Sequence, residues 1–308
     1  MIAQDSIDSP FRFISVRDNI IIRYGVWPCM TDTDRGSVLL LNGRTEFMEK
    51  YDETIGELNQ RGFDVYSLDW RGQGLSSRML PDRHKGYVVT YDDYLEDLNR
   101  IVHQIVMPGA KQPVIIFAHS MGGHIGLRFL HDNPNVIDRA VLVAPMIEIL
   151  PFTVAKWFLR LITRRRIRQG LDHGYAIGSS SYDFLDKPFK GNRLTSDPNR
   201  FMDAQRAIVK NPDLAVGGVT YGWLAATLKS IDIVKKPGYT AKINIPILIM
   251  IAGADRVVSV KDQKRICSTM KECNCVVIPN ARHEILKEAD RFRKIFWEDF
   301  DTFTGIKK

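Results

Sequence analysis

The sequence contains few cysteines and no long hydrophobic run. Four cysteines occur among its 308 residues without a C-x-x-C pair, which excludes the usual cysteine spacing of a zinc site and predicts no disulfide framework. Cys273 and Cys275 are separated by one residue, and we expect them to pack on one face of a strand. The longest apolar run, near residues 246–254, is far too short to span a bilayer.

The first residues also lack the apolar segment after a basic start that marks a signal peptide. We therefore expect a cytoplasmic protein, with peripheral contact at the inner membrane as a second expectation. Hydrophobic residues at 44% and charged residues at 26% are ordinary for a globular protein. The formal net charge of +7 favours anionic partners without identifying one. We expect no metal, no organic cofactor and no nucleic-acid partner.

Short apolar runs alternate with helical patterns along most of the chain. Residues 37–41, 63–68 and 140–144 have the composition of strands buried on both faces, and helical patterns lie between such runs. This alternation predicts an α/β fold with a doubly wound, mostly parallel sheet and a ligand site at the carboxyl ends of its strands. Residues 11–27 are predicted to form one or two antiparallel edge strands.

The alternation stops at Pro145 and returns at Ile245. Between these positions the buried-strand pattern disappears, and aromatic residues, arginines and glycines occupy helical and irregular stretches. We therefore predict a core made of residues 1–145 and 242–308, with residues 146–241 inserted as a helical cap, or lid, over the carboxyl edge of the sheet.

A serine stands between a buried strand and a helix. The sequence P-V-I-I-F-A-H-S-M-G-G turns sharply at Ser120, and a serine on so tight a turn presents its hydroxyl above the sheet. The segment resembles the nucleophile elbow of the α/β-hydrolase fold, G-x-S-x-G, with Ala118 in place of the first glycine. The alternative is a serine that only caps the helix.

A nucleophilic serine needs a base and a group that orients the base. In this fold the order along the chain is serine, acid, histidine, which favours Asp255 and His283 because each follows a predicted strand. Asp69 is the rival acid, since it also ends a strand. It precedes the serine, however, and Arg71 is expected to pair with it.

The developing negative charge on the carbonyl oxygen needs donors, usually two backbone amides. We expect one to be the N–H of Met121, at the start of the elbow helix, and the other the N–H of Arg44, in the loop after the strand at residues 38–41. The Arg44 side chain would additionally attract an anionic substrate head.

Several motifs together make the resemblance specific. L-N-G-R-T-E, L-D-W-R-G-Q-G-L-S-S-R, A-H-S-M-G-G, A-G-A-D-R-V-V and A-R-H-E-I-L resemble the lysophospholipase and monoacylglycerol lipase group of α/β-hydrolases. G-Y-A-I-G and V-G-G-V-T-Y-G-W, in the predicted cap, resemble the bacterial lysophospholipase L2 family. Asn42 and Trp70 stand where many relatives in the broader group carry histidines, which suits the lysophospholipase branch.

The resemblance implies a serine carboxylic ester hydrolase that releases a fatty acid from a lysophospholipid through an acyl-enzyme intermediate. Some members of that family also transfer the acyl group. Three alternatives stay open: a monoacylglycerol lipase or other carboxylesterase with the same triad, an enzyme that cleaves N-terminal proline peptides, and a catalytically silent lipid-binding protein on the same fold.

Residues 151–168 form a basic amphipathic pattern. We predict a helix with one apolar face, which either rests on an anionic membrane or packs on the body of the protein and covers the active site. The residues predicted on that face are Val154, Trp157, Phe158, Leu161 and Ile162. The aromatic residues Tyr175, Tyr221 and Trp223 are candidates for substrate contact or for the core of the cap.

Overall fold

The computed structural model describes residues 9–150, 156–184 and 188–306. Eight strands form one sheet in the order β1-β2-β4-β3-β5-β6-β7-β8. The strands are β1 Phe11–Ser15, β2 Ile21–Trp27, β3 Ser37–Leu41, β4 Asp64–Leu68, β5 Val114–His119, β6 Arg139–Val143, β7 Ile247–Ala252 and β8 Cys273–Ile278.

Strands β3 to β8 all run parallel, and at one edge β2 is antiparallel to both of its neighbours, β1 and β4. Alternate residues of β3 enter two different cores: Leu39 and Leu41 pack with α2 and α4, whereas Val38 and Leu40 pack with α1 and α9. Because helices cover both faces, the parallel strands are continuously apolar. The prediction of a doubly wound, mostly parallel sheet is confirmed.

The helices agree with the predicted periodicities, with shifts at their ends. In α2, Thr90 and the Asp93 side chain form a capping box. After α2 the chain continues into a π-helical turn at Val102–Val106. The helices are α1 Asp52–Gln60, α2 Tyr91–Ile101, α3 Met107–Gly109, α4 Met121–Asp132, α5 Lys156–Arg168, α6 Pro198–Lys210, α7 Tyr221–Val234, α8 Val260–Cys267 and α9 Asp290–Thr304.

The segment between β6 and β7 contains α5, α6 and α7. Leu159 of α5 packs against Tyr221, Leu224 and Leu228 of α7. An isolated β-bridge between Gly86 and Val219 joins this segment to the core. The cap boundaries at residues 146 and 241 stay a prediction, and residues 151–155 of the predicted basic helix lie outside the described residues.

The expectation for the cysteines was wrong. Cys267, at the end of α8, and Cys273, at the start of β8, form a disulfide with a Cα–Cα distance of 5.4 Å. The turn between α8 and β8 brings the two side chains together, which local spacing does not reveal. Cys275 is exposed and does not pack. Within the described ranges, no helix combines the length and the apolar composition needed to cross a membrane.

Candidate active site

Ser120 occupies the turn between β5 and α4 with φ 49° and ψ −112°. A positive φ is rare for serine, and such strain persists only where surrounding contacts hold it. Here the Ser120 N–H donates to the Val143 carbonyl at 3.0 Å, and its own carbonyl accepts from His124 and Met146. The predicted sharp turn is therefore held by backbone hydrogen bonds on both sides of the serine.

Small residues allow α4 to approach the sheet at this turn. A Cβ placed on Gly122 would lie 2.3 Å from the Leu41 carbonyl oxygen, so only glycine fits there. Ala118 stands where the usual motif has glycine, and its methyl does not crowd α4: even a Cβ added to Gly126 would lie 3.9 Å from it, an ordinary van der Waals distance. The one-methyl departure from the motif costs no overlap.

Ser120, His283 and Asp255 form a chain of hydrogen bonds at the carboxyl edge of the sheet. His283 Nε2 lies 3.0 Å from Ser120 Oγ, and His283 Nδ1 lies 2.7 Å from Asp255 Oδ2. Asp255 Oδ1 also accepts the N–H groups of Val257 and Val258. Burial acts to raise the pKa of Asp255, but the opposing effect of His283 and of these two amides is larger. The pKa of Asp255 is therefore below its ordinary value, and the carboxyl is held ionised.

With Nδ1 donating to a fixed carboxylate, His283 presents an unprotonated Nε2 to the serine hydroxyl. The serine and histidine are almost enclosed, with 7% and 4% of their surfaces exposed. The arrangement can move a proton from Ser120 to His283 in a site largely sheltered from solvent.

The loop after β3 leaves one backbone amide available beside this site. The Gly43 N–H donates to the Glu46 carboxylate, and the Thr45 N–H donates to Gln73 Oε1 at 2.7 Å. In the described part of the chain, neither the Arg44 N–H nor the Met121 N–H donates to a protein acceptor. These are the two amides that the sequence predicts for the oxyanion hole.

The rival acid Asp69 does not reach His283. Asp69 is fully buried and accepts from Arg23 at 3.1 Å and from two backbone N–H groups. Burial raises the pKa of Asp69 to about 6 despite the Arg23 charge. The expected pairing with Arg71 was wrong, because Arg71 instead binds both carboxylate oxygens of Asp97 at 2.6 Å.

A buried network of charged side chains, centred on Glu46, lies next to the site and was not predicted from the sequence. Glu46 accepts from the Gly43 N–H, from Lys50 Nζ at 2.9 Å, from the Tyr51 hydroxyl at 2.5 Å and from His119 Nδ1 at 3.1 Å. Burial alone raises the pKa of Glu46, but Lys50 and His119 hold it well below its usual range. Glu46 therefore anchors the loop that carries the Arg44 amide.

His119 connects this network to the candidate base. Its Nδ1 faces the Glu46 carboxylate, and its Nε2 faces the His283 carbonyl oxygen at 3.3 Å. Both partners only accept, so these contacts favour a ring with protons on both nitrogens. Burial lowers the pKa of His119, and Glu46 more than offsets this, so the pKa is raised. Lys50 also binds Glu284 at 2.7 Å, directly after His283.

The three candidate aromatic residues lie in different places. Trp223 packs in the core below the site, and its ring centroid is 5.5 Å from the Arg44 guanidinium carbon. Tyr221 belongs to the cluster between α5 and α7. Tyr175 lies at the surface, where its hydroxyl donates to Asp82 at 3.3 Å. The structure thus brings Trp223, but not Tyr175, next to the loop after β3.

Comparisons with known proteins all place this chain near the same family. The family model described as serine aminopeptidase, S33, matches residues 32–290. Lysophospholipase L2 of Escherichia coli K12 is 34% identical over 266 residues, which cover 84% of this chain and 77% of that protein. A probable lysophospholipase L2 of Haemophilus influenzae is 29% identical over 97% of this chain and 93% of that protein.

Among solved structures, a soluble variant of monoglyceride lipase from Saccharomyces cerevisiae, in complex with a substrate analogue, superposes with a TM-score of 0.75. It is 20% identical and covers 98% of this chain and 96% of its own, which shows a shared fold. The chain therefore belongs to the serine aminopeptidase S33 family of α/β-hydrolases, in the group that contains lysophospholipase L2 and the monoglyceride lipases.

Proposed function

We propose that this protein is a serine carboxylic ester hydrolase that releases the fatty acid of a lysophospholipid through an acyl-enzyme intermediate. The observation that carries the proposal is the hydrogen-bonded chain Ser120–His283–Asp255 beside two available backbone amides. The similarity to lysophospholipase L2 supports the choice of substrate.

In the first half of the reaction, Ser120 Oγ attacks the ester carbonyl carbon and its proton moves to His283 Nε2. The N–H groups of Arg44 and Met121 donate to the oxygen that becomes negative. When the tetrahedral intermediate collapses, the carbon–oxygen bond to the glycerol breaks, and His283 returns the proton to the leaving oxygen. Asp255 keeps the imidazole in the tautomer that this exchange requires.

In the second half, a water molecule takes the place of the leaving alcohol. His283 accepts a proton from the water as it attacks the acyl-enzyme, and then returns a proton to Ser120 Oγ as the acyl–oxygen bond breaks. The products are a fatty acid and a glycerophosphodiester. The steps use water and groups of this chain.

A substrate panel tests the proposal. We expect a lysophosphatidylcholine or lysophosphatidylethanolamine to be hydrolysed with kcat/KM about 10- to 100-fold above that for the monoacylglycerol with the same acyl chain. Charge-assisted hydrogen bonds to the phosphate, absent for the neutral lipid, supply a preference of this order. Released fatty acid is the measurement. Equal or faster hydrolysis of the monoacylglycerol would assign the chain to the lipase alternative, and cleavage of prolyl amides would assign it to the peptidase alternative.

We also infer that α5 contacts an anionic membrane. Its apolar face is not the one predicted: Leu159 and Thr163 are buried, whereas Trp157, Phe158 and Leu161 are 69%, 41% and 56% exposed. Trp157 and Leu161 are therefore mostly in solvent and Phe158 is only partly covered, while Ile162 is partly buried and Val154 lies outside the described residues. Arginines 164, 165 and 168 are exposed on the same helix. Exposed Trp and Leu combined with arginines suit the interface of an anionic bilayer.

Replacing arginines 164, 165 and 168 together with glutamine is expected to weaken binding to anionic vesicles about 100-fold. Each basic side chain near such a surface contributes about 1 kcal/mol, and the three free energies add to about 3 kcal/mol, which is roughly a hundredfold change in the binding constant. Vesicle sedimentation with phosphatidylserine is the measurement. The control replaces the exposed lysines 261, 264 and 271 with glutamine, an equal change of charge elsewhere. Equal losses in both variants, or equal binding to neutral vesicles, would contradict membrane contact through α5.

A further inference from the structure

The Arg44 side chain is a half-buried cation for which the described residues provide no anionic partner. Its Nη1 donates to the Gly217 carbonyl at 3.2 Å, and its guanidinium lies over the Trp223 ring. Among the described residues, this is its one hydrogen bond, and no carboxylate forms an ion pair with it. Burial lowers the pKa of Arg44, while the titratable groups facing it, Tyr91 and Tyr94, are phenols whose own pKa values burial raises.

Among the described residues, Arg139 also lacks a carboxylate partner, donating to the Phe303 carbonyl at 2.7 Å with its guanidinium over the Phe303 ring, but it begins β6, at the edge of the sheet opposite the candidate active site. Arg78, which also forms no carboxylate ion pair within the described ranges, donates to three backbone carbonyl oxygens. The fully buried arginines in the described part of the chain all have carboxylate partners: Arg23 with Asp69, Arg71 with Asp97, Arg128 with Asp92, and Arg293 with Glu53. Since removing a charge even partly from water is costly unless the charge is paired, the isolation of Arg44, together with its position beside the candidate active site, points to a ligand that supplies the missing anion.

The location of Arg44 relates that anion to the substrate. Its backbone N–H is the proposed donor to the ester carbonyl oxygen, so its side chain starts beside the reacting ester. The guanidinium then extends between two segments: a Cβ on Gly86 would lie 3.7 Å from Nη1, and Gly217 accepts from the same nitrogen. The residue is partly exposed, so it keeps access to solvent and to a ligand.

We propose that the Arg44 guanidinium is the binding subsite for the phosphate of the substrate, a phosphate ester of glycerol. This inference rests on the proposed function and adds the residue that recognises the head group. The planar guanidinium offers paired donors that match two phosphate oxygens. A glycerol backbone separates the ester carbonyl from the phosphate, just as the Arg44 side chain separates its backbone amide from the guanidinium. A monoacylglycerol would leave the cation unpaired.

The first test compares two substrates in the R44M variant, which keeps the backbone amide. We expect the ratio of kcat/KM for lysophosphatidylcholine to that for the matched monoacylglycerol to fall about 10- to 100-fold, mainly through KM. R44K, which keeps the charge but not the paired donors, should retain part of the ratio and guards against a general folding defect. The exposed Arg265→Met is the matched control and should leave the ratio unchanged. An unchanged ratio in R44M would overturn the subsite.

The second test is independent of lysophospholipid hydrolysis. Glycerol 3-phosphate should inhibit hydrolysis of a neutral p-nitrophenyl ester competitively, and R44M should require at least about tenfold more of it. Weaker inhibition by inorganic phosphate supports a lipid head group as the natural anion, whereas equal inhibition overturns that assignment in favour of free phosphate. If the wild type is inhibited through Arg44 but does not hydrolyse lysophospholipids, the proposed function fails and the anion subsite stands. If it hydrolyses them and R44M is inhibited equally, the subsite fails alone.

Discussion

Replacing Ser120 with alanine is expected to lower kcat for ester hydrolysis on the order of 10⁴- to 10⁶-fold while leaving the fold intact. The hydroxyl lies 3.0 Å from His283 Nε2, and that is the contact the substitution removes. Loss of a triad nucleophile has effects of this size because the remaining groups act on the serine. Rates with a p-nitrophenyl ester and labelling by a fluorophosphonate probe are the measurements. Substantial residual hydrolysis, or labelling of S120A, would refute the nucleophile and favour the silent lipid-binding alternative.

A matched pair of substitutions distinguishes Asp255 from Asp69 as the acid of the triad. Asp255→Asn should lower kcat about 10⁴-fold, since an amide at this position favours the wrong tautomer of His283. Asp69→Asn changes a carboxylate that binds Arg23 instead, so it should lower the thermal stability and have a much smaller effect on kcat per folded molecule. If both variants lose kcat equally, the choice of Asp255 over Asp69 is wrong.

Replacing Glu46 with glutamine is expected to reduce the free energy of unfolding by about 3–5 kcal/mol, the usual cost of removing one partner from a buried ion pair. Lys50 and His119 each lose their contact with the carboxylate, and both are buried. Because Glu46 also holds the Gly43 N–H, we expect a loss in kcat beyond the loss of folded protein. Chemical denaturation is the measurement, and exposed Glu272→Gln, which should change stability by less than about 0.5 kcal/mol, is the control.

The stability that is lost in Glu46→Gln should depend on pH, because the pKa values of Glu46 and His119 are shifted in opposite directions. The lowered pKa of Glu46 means that its contribution is present above its ordinary value near 4.5 and disappears as the pH falls through the folded-state pKa. The raised pKa of His119 means that its contribution is complete below 6.5 and disappears as the pH rises through the folded-state value. The stability difference between wild type and E46Q should therefore be largest between these pH values. A difference that stays constant toward alkaline pH would show that His119 is uncharged.

Most of the architecture could be predicted from the sequence because it depends on local periodicity. The apolar runs at β3, β5, β6 and β7 can be buried only between two layers of helices, and the helical patterns between them supply those layers. Ser120, Asp255 and His283 could also be chosen as candidates, because the resemblance to α/β-hydrolases implies the order serine, acid, histidine and because parallel strands bring their carboxyl ends to one edge of the sheet.

The buried network around Glu46 could not be predicted in the same way. Glu46 and Lys50 are spaced four residues apart, which is a signal for an ion pair, but the same spacing is common on exposed helices. Its significance depends on His119 and Glu284, which approach from β5 and from the segment before α9. The same reason explains the disulfide between Cys267 and Cys273, whose side chains meet only after α8 packs on β8.

The amino-acid sequence by itself determined the alternation of strands and helices, the sharp turn at Ser120 and the placement of Asp255 and His283 after strands, because each depends on a short stretch of chain and on the rules by which strands pair. The tertiary structure decided which face of α5 is exposed, which amide of the loop after β3 stays available, and which groups surround the Arg44 side chain. Burial and pairing are properties of what lies opposite a residue, and for Arg44 the neighbours are Gly86, Gly217 and Trp223, all distant along the chain.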